Sequence, residues 1–167
     1  MNKIKNPICF IPARSGSTRL KNKNLKLINN KTLVEITIKQ ALLSKKFKKK
    51  DIVLSSDCAK ILSIGKKFNI CCVKRSKKNS RTFSKVEDAI VEFHKKKCDY
   101  AFRDIILLQV TSPLREIKTI QKFINFCYKK KVSHCLSVTE IRGNISNFSQ
   151  KFFNSLNKKR LMTQQIK

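Results

Sequence analysis

Acidic residues are scarce in this chain: ten Asp and Glu stand against 39 Lys and Arg in 167 residues, a formal charge of +29. Such an imbalance raises the question of a nucleic-acid surface, because every neutralised phosphate releases counterions and strengthens binding. The features that would carry base recognition are missing. There is no RNP-like aromatic pattern and no helix-turn-helix, and the phenylalanines fall on apolar stripes instead of interleaving with the basic runs. The excess is mostly lysine, spread along the chain and gathered at expected helix ends (Lys48 to Lys50, Lys95 to Lys97, Lys129 to Lys131), where cations suit the helix dipole. A general lysine bias accounts for it, with non-specific polyanion binding expected at low salt.

Other absences narrow the class. No apolar run is long enough to span a bilayer, and the N-terminal MNKIKNPICFIPAR has too short an apolar segment for a signal peptide, so a cytoplasmic protein without membrane association is expected. The seven cysteines are odd in number and form no C-x-x-C pair, which points to reduced thiols: Cys9 and Cys135 in strands, Cys127 on a helix stripe. His94 and His134 stand alone, so no metal site is read from the residues themselves.

What is present is alternation. Apolar runs of strand length occur at Ile8 to Ile11, Asp51 to Ser55, Ile70 to Val73, Asp104 to Val110 and Ser133 to Thr139. Helical stripes separate them: Val34, Ile38, Ala41 and Leu42; Ile61, Ile64, Gly65 and Phe68, with Asp57 as N-cap; Val86, Ala89, Ile90 and Phe93, with Ser84 and Glu87 as a capping box; Ile117, Ile120, Ile124 and Cys127. No hairpin signal interrupts the series. The pattern predicts a three-layer, Rossmann-like α/β domain on a mostly parallel sheet, with DIILLQV at its centre. One domain over 1–140 is expected, with 141–167 as an incomplete extension of it.

Two loops leave the carboxyl ends of strong strands, where open α/β sheets bind ligands. The first, within Ile11 to Leu25 (IPARSGSTRLKNKNL), offers hydroxyls, one of the chain's three glycines at Gly16, and the cations Arg14, Arg19, Lys21 and Lys23. Those are the parts of a phosphate cradle. The second, Thr111 to Arg115, follows Gln109, a polar residue within ILLQV that reads equally as a satisfied core amide or as a ligand contact on the cleft floor.

IPARSGSTRLKNKNL, SSD at Ser55 to Asp57, the spacing from Arg75 through Ser84 to DAIVEF at Asp88 to Phe93, and LLQVTSPLR at Leu107 to Arg115 together resemble the acylneuraminate cytidylyltransferases. The resemblance implies a nucleotide-diphospho-sugar transferase fold and transfer of CMP from CTP to a nonulosonic acid, with release of pyrophosphate and assistance from magnesium. It also implies CTP contacts at Arg14, Ser17, Lys23, Asn24, Arg75 and Ser84, a sugar-acid contact at Gln109, and a homodimer. It assigns no catalytic residue. The chain departs from the family at Thr18, where a lysine is usual, and at Val86, where a small polar residue is usual. The family's D-x-D magnesium ligands have no counterpart, for no aspartate follows Asp104. The expectation is a chain truncated at its C-terminus. The alternatives are a remnant that only binds nucleotide and a basic nucleic-acid-binding protein.

Overall fold

The computed structural model describes residues 7–17, 20–81, 83–100, 103–131 and 134–137. Of the strand expected over 133–139 only 134–137 are described, and they show a single bridge residue, Leu136; the tail from 141, Thr18 and Arg19 lie outside the described residues. The chain divides into two compact units, 1–120 and 121–167.

The first unit is built on a parallel sheet. β1 (Ile8–Pro12) is buried on both faces and lies between β4 (Ile52–Ser56) and β6 (Ile105–Leu107), while β5 (Cys71–Lys74) pairs with the far side of β4. All three pairings are parallel, with Phe10 opposite both Val53 and Leu107. The period of two then sorts the side chains. Ile8, Phe10, Val53 and Val73 form one face and meet Ala89 and Phe93 of α3 (Val86–Lys96). Ile11, Leu54 and Cys72 fall on the other face. That face carries α2 (Ala59–Lys67), and α1 (Leu33–Leu43) packs beside α2 and against β1. Helices on both faces give the three-layer α/β arrangement the alternation predicts, with α1 and α2 together on one of them.

Gly65 shows how closely α2 approaches the sheet. A Cβ there would sit 2.6 Å from Cys72 Sγ and 2.7 Å from Leu54 Cδ2, so glycine is required by space. Gly65→Ala should lower stability by about 1–3 kcal/mol through overpacking, measurable by urea titration; an unchanged midpoint would show that both side chains move aside freely.

Of the run DIILLQV, β6 holds three residues, and among the described strands it pairs with β1 alone. Two local expectations are corrected. A hairpin does occur, between the first loop and α1. β2 (Leu27–Ile28) and β3 (Lys31–Thr32) pair antiparallel across Asn29 and Asn30, whose φ of 47° and 59° suit a tight primed turn. Asparagine tolerates that region and supplied the overlooked signal. Beyond it Thr32 and Glu35 form a reciprocal capping box that starts α1. Finally, the cap of α3 is displaced by one residue. Asp88 accepts from Lys85 N at 3.2 Å, while Ser84 Oγ donates to Lys78 O.

α4 (Ile117–Lys130) runs through the boundary between the units and buries Ile120 and Ile124 of its predicted stripe. No helix of the described residues is long and apolar enough to cross a membrane.

Candidate functional site

β1, β4 and β5 end at one edge of the sheet, as does the segment following β6. A cleft opens there, lined by Pro12, Arg14, Ser17, Lys23, Asn24, Arg75, Ser84, Lys85, Val86, Gln109, Val110 and Thr111. All seven residues singled out in the sequence are on its wall. Among the described residues of the wall are four cations, Arg14, Lys23, Arg75 and Lys85, and no carboxylate, which makes this part of it electropositive. That suits a ligand of multiple negative charge.

The wall residues come from the first loop, the residue after β5, the start of α3 and the segment after β6. The first loop is tethered at successive residues: Ala13 N donates to Ser55 O at 2.9 Å, and Arg14 O accepts from the buried Asn24 Nδ2 at 2.7 Å. Asn24 itself rides on a 3-10 turn, Lys23–Leu25, entered through Asn22 with φ 53°. Arg14 Nη1 reaches Arg81 O at 2.7 Å and so joins the first loop to the segment after β5. Gly16 is not crowded by the protein: a Cβ there would find only Ser80 O, at 3.8 Å.

Arg75 closes the floor. It is only 6% exposed, and Nε and Nη2 donate to Ser55 Oγ and Ser55 O, both at 3.2 Å. Burial pulls its pKa down, and the charge of Arg14 adds to that, while Asp57 and Glu92 act the other way; a guanidinium stays charged throughout.

Gln109 corrects the core-amide alternative, because it is exposed beyond the end of β6. Its backbone O accepts from Arg115 Nη2 at 3.0 Å. Arg115 Nη1 in turn donates to Gln40 Oε1 at 3.2 Å, and Gln40 Nε2 donates to Pro113 O and Arg115 O, each at 2.7 Å. Gln40 and Arg115 were missed as site residues. The available signal was Gln40 itself, a polar residue buried one position before Ala41 in an otherwise apolar stripe.

A family model for cytidylyltransferases matches residues 8–164. The chain belongs to that family. Among curated relatives it is 34% identical over 144 residues to the N-acylneuraminate cytidylyltransferase of Streptococcus agalactiae serotype V, covering 86% of this chain and 34% of the relative. It is 33% identical over 117 residues to the CMP-N,N'-diacetyllegionaminic acid synthase of Legionella pneumophila, covering 68% and 50%. The chain therefore spans between a third and a half of the length of these relatives. Among solved structures, CMP:2-keto-3-deoxy-manno-octonic acid synthetase complexed with CTP superposes with a TM-score of 0.65 at 19% identity, over 80% of this chain and 52% of that one. Rv0371c of Mycobacterium tuberculosis gives 0.64 at 13% identity, over 98% and 88%. Both likenesses show the fold.

Two carboxylates, Asp57 and Glu92, act on Arg75 without lining the cleft. Asp57 does not cap α2 as expected; Cys58 occupies that position, and the Asp57 carboxylate turns to the first loop, accepting from Ser15 N at 2.8 Å and from Ser15 Oγ. Burial raises its pKa, but the bonds from the Ser15 hydroxyl and amide, its own backbone and the charge of Arg75 more than offset this and hold it below the ordinary value. Glu92 of α3 gathers the segment after β5. It accepts from Ser76 N at 2.9 Å, Ser76 Oγ at 3.0 Å, Asn79 Nδ2 at 2.7 Å and Lys96 Nζ at 2.6 Å. Burial raises its pKa too, yet those bonds bring it down to about 2.

A carboxyl depressed on folding stabilises the native state above its unfolded pKa, and that contribution is lost as pH falls toward the folded value. Acidification from about 4.5 toward 2 should therefore loosen residues 76–80 from α3. Thermal melts across that range should show a steeper loss for the wild type than for Glu92→Gln; parallel curves would mean that Glu92 is not the group responsible.

Among the described residues no group of three or more His, Cys, Asp or Glu side chains is arranged to hold a metal ion.

Proposed function

We propose that this cytidylyltransferase transfers CMP from CTP to a sialic- or legionaminic-acid-type sugar acid, with release of pyrophosphate. The observation that carries the reading is the convergence of Arg14, Ser17, Lys23, Asn24, Arg75, Ser84 and Gln109 on one cleft that has four cations and no carboxylate among the described residues of its wall. The names of the bacterial relatives supply the acceptor class.

The chemistry asks little covalent work of the protein. The anomeric hydroxyl of the sugar acid attacks the α-phosphate, forming an O–P bond; the bond from that phosphorus to the bridging oxygen breaks, pyrophosphate leaves, and the hydroxyl proton passes to solvent. Rate comes from holding the two anions together and in line, and from neutralising charge on the leaving group. In this reading Arg14, Lys23 and Arg75 supply the cations for the phosphates. Asn24, Ser17 and Ser84 add paired donors and acceptors for the nucleotide, and Gln109, across the cleft, meets the sugar acid.

The test is pyrophosphate release from CTP and magnesium with a panel of sialic, legionaminic, pseudaminic and 3-deoxy-manno-octulosonic acids. Release with one or more of them is expected. CTP binding without release from any acid would sink the transfer reaction and leave a nucleotide-binding module. Sequence-selective RNA or DNA affinity that persists at high salt would redirect the reading to nucleic acid.

A further inference from the structure

Asp57 sits in a costly place. It follows β4, directly beside the strand that feeds the first loop, and its charge is felt by Arg75 on the cleft floor. A carboxylate behind an anion site works against the ligand. The cheap local use of an aspartate at this point, capping α2, is not taken, since Cys58 stands at the cap and no side chain bonds there. Both carboxylate oxygens are instead given to one residue of the first loop, 42 positions earlier in the chain.

We infer that Asp57 is a positioning residue for the phosphates of the nucleotide, fixing the first loop through a two-point clasp on Ser15. This rests on the nucleotide reading given above. The three tethers at Ala13, Arg14 and Ser15 are consecutive, and they end there. The next two amides, of Gly16 and Ser17, have no hydrogen-bond partner among the described residues. The loop is thus pinned up to Ser15 and open immediately after it, with Arg14 and Ser17 on the cleft wall to either side of the pinned residue. Asp57 does not line the cleft. It acts through Ser15, by setting the loop backbone before the anion arrives, so that less ordering is needed on binding.

The sign of one substitution separates positioning from charge. Asp57→Ala removes a negative charge near an anion site, so electrostatics alone makes CTP bind more tightly. Positioning makes it bind more weakly. Calorimetric titration with CTP should show about a tenfold loss for Asp57→Ala, the equivalent of one charge-assisted hydrogen bond. Asp57→Asn should stay close to wild type, because its amide can still accept from Ser15 N and donate to Ser15 Oγ. Amide hydrogen exchange over residues 13–17 should accelerate in the Ala variant and not in the Asn variant.

Wild-type or tighter CTP affinity in Asp57→Ala overturns the clasp, and so do equal losses in the two variants that merely follow their melting temperatures. A wild-type chain that takes up no CTP overturns the nucleotide reading instead. The clasp is then judged by exchange alone, and unchanged exchange at 13–17 in the Ala variant overturns it as well.

Discussion

Arg75→Met should abolish useful nucleotide binding, weakening CTP by about 100-fold, as expected when two charge-assisted hydrogen bonds of about 1.5 kcal/mol each are lost. The stem of methionine fills much of the same space, so the change isolates the guanidinium. Its removal has two consequences in the same direction. The cleft floor loses its buried cation, and Asp57 and Glu92 lose the positive charge that offsets them. Arg75→Lys keeps the charge but not the fork that reaches both Ser55 Oγ and Ser55 O, and should lose about tenfold. Isothermal titration with CTP decides the matter. If Arg75→Met binds CTP within about threefold of wild type, the floor of the cleft is not where the phosphates lie.

Phe93→Ala should be the most damaging single change to the fold, with a loss of about 3–5 kcal/mol in denaturant unfolding. Phe93 is fully buried in the cluster of Ile8, Phe10, Val53, Val73 and Ala89. Its ring centroid lies 5.7 Å from that of Phe10 and 5.3 Å from that of Tyr100, with tilted planes in both cases. It is the main side chain by which α3 grips the sheet. Through Glu92, its neighbour in the sequence, α3 also holds the segment after β5. The variant should therefore lose CTP affinity in step with stability, whereas Arg75→Met loses affinity far out of proportion to it. A Phe93→Ala chain that unfolds at the wild-type denaturant midpoint would show that α3 is held chiefly elsewhere.

The fold was legible where local and global signals agree. Val34, Ile38 and Ala41 repeat at helical spacing and are fully buried on α1; ICFI is a continuous apolar run and is buried on both faces of β1. Position within the sheet was not legible. Apolarity reports how dry a strand is and says nothing of its neighbours: DIILLQV read as central, while among the described strands ICFI has a neighbour on each side and β6 has one. Caps failed for a related reason. Asp57 and Ser84 are good cap residues by local preference, but each has a partner outside its helix, at Ser15 and at Lys78, that no local rule contains. The cleft residues themselves were readable because they lie in short motifs at strand ends. The residues that hold them, Asp57, Glu92, Gln40 and Arg115, act across 6 to 75 positions of sequence, and no local rule says which partner each one takes.

Gln40 bears on how the cleft behaves when warmed. β6 is three residues long and pairs with β1 among the described strands, so few backbone bonds of those strands hold it. Gln109 lies just beyond it. Yet the turn that follows is bound to α1 by one buried amide that grasps Pro113 and Arg115, and Arg115 returns to the Gln109 backbone. The Gln109 side of the cleft thus borrows its rigidity from a helix of the first crossover. Fraying of β6 and opening of the cleft become separate events, governed by different bonds.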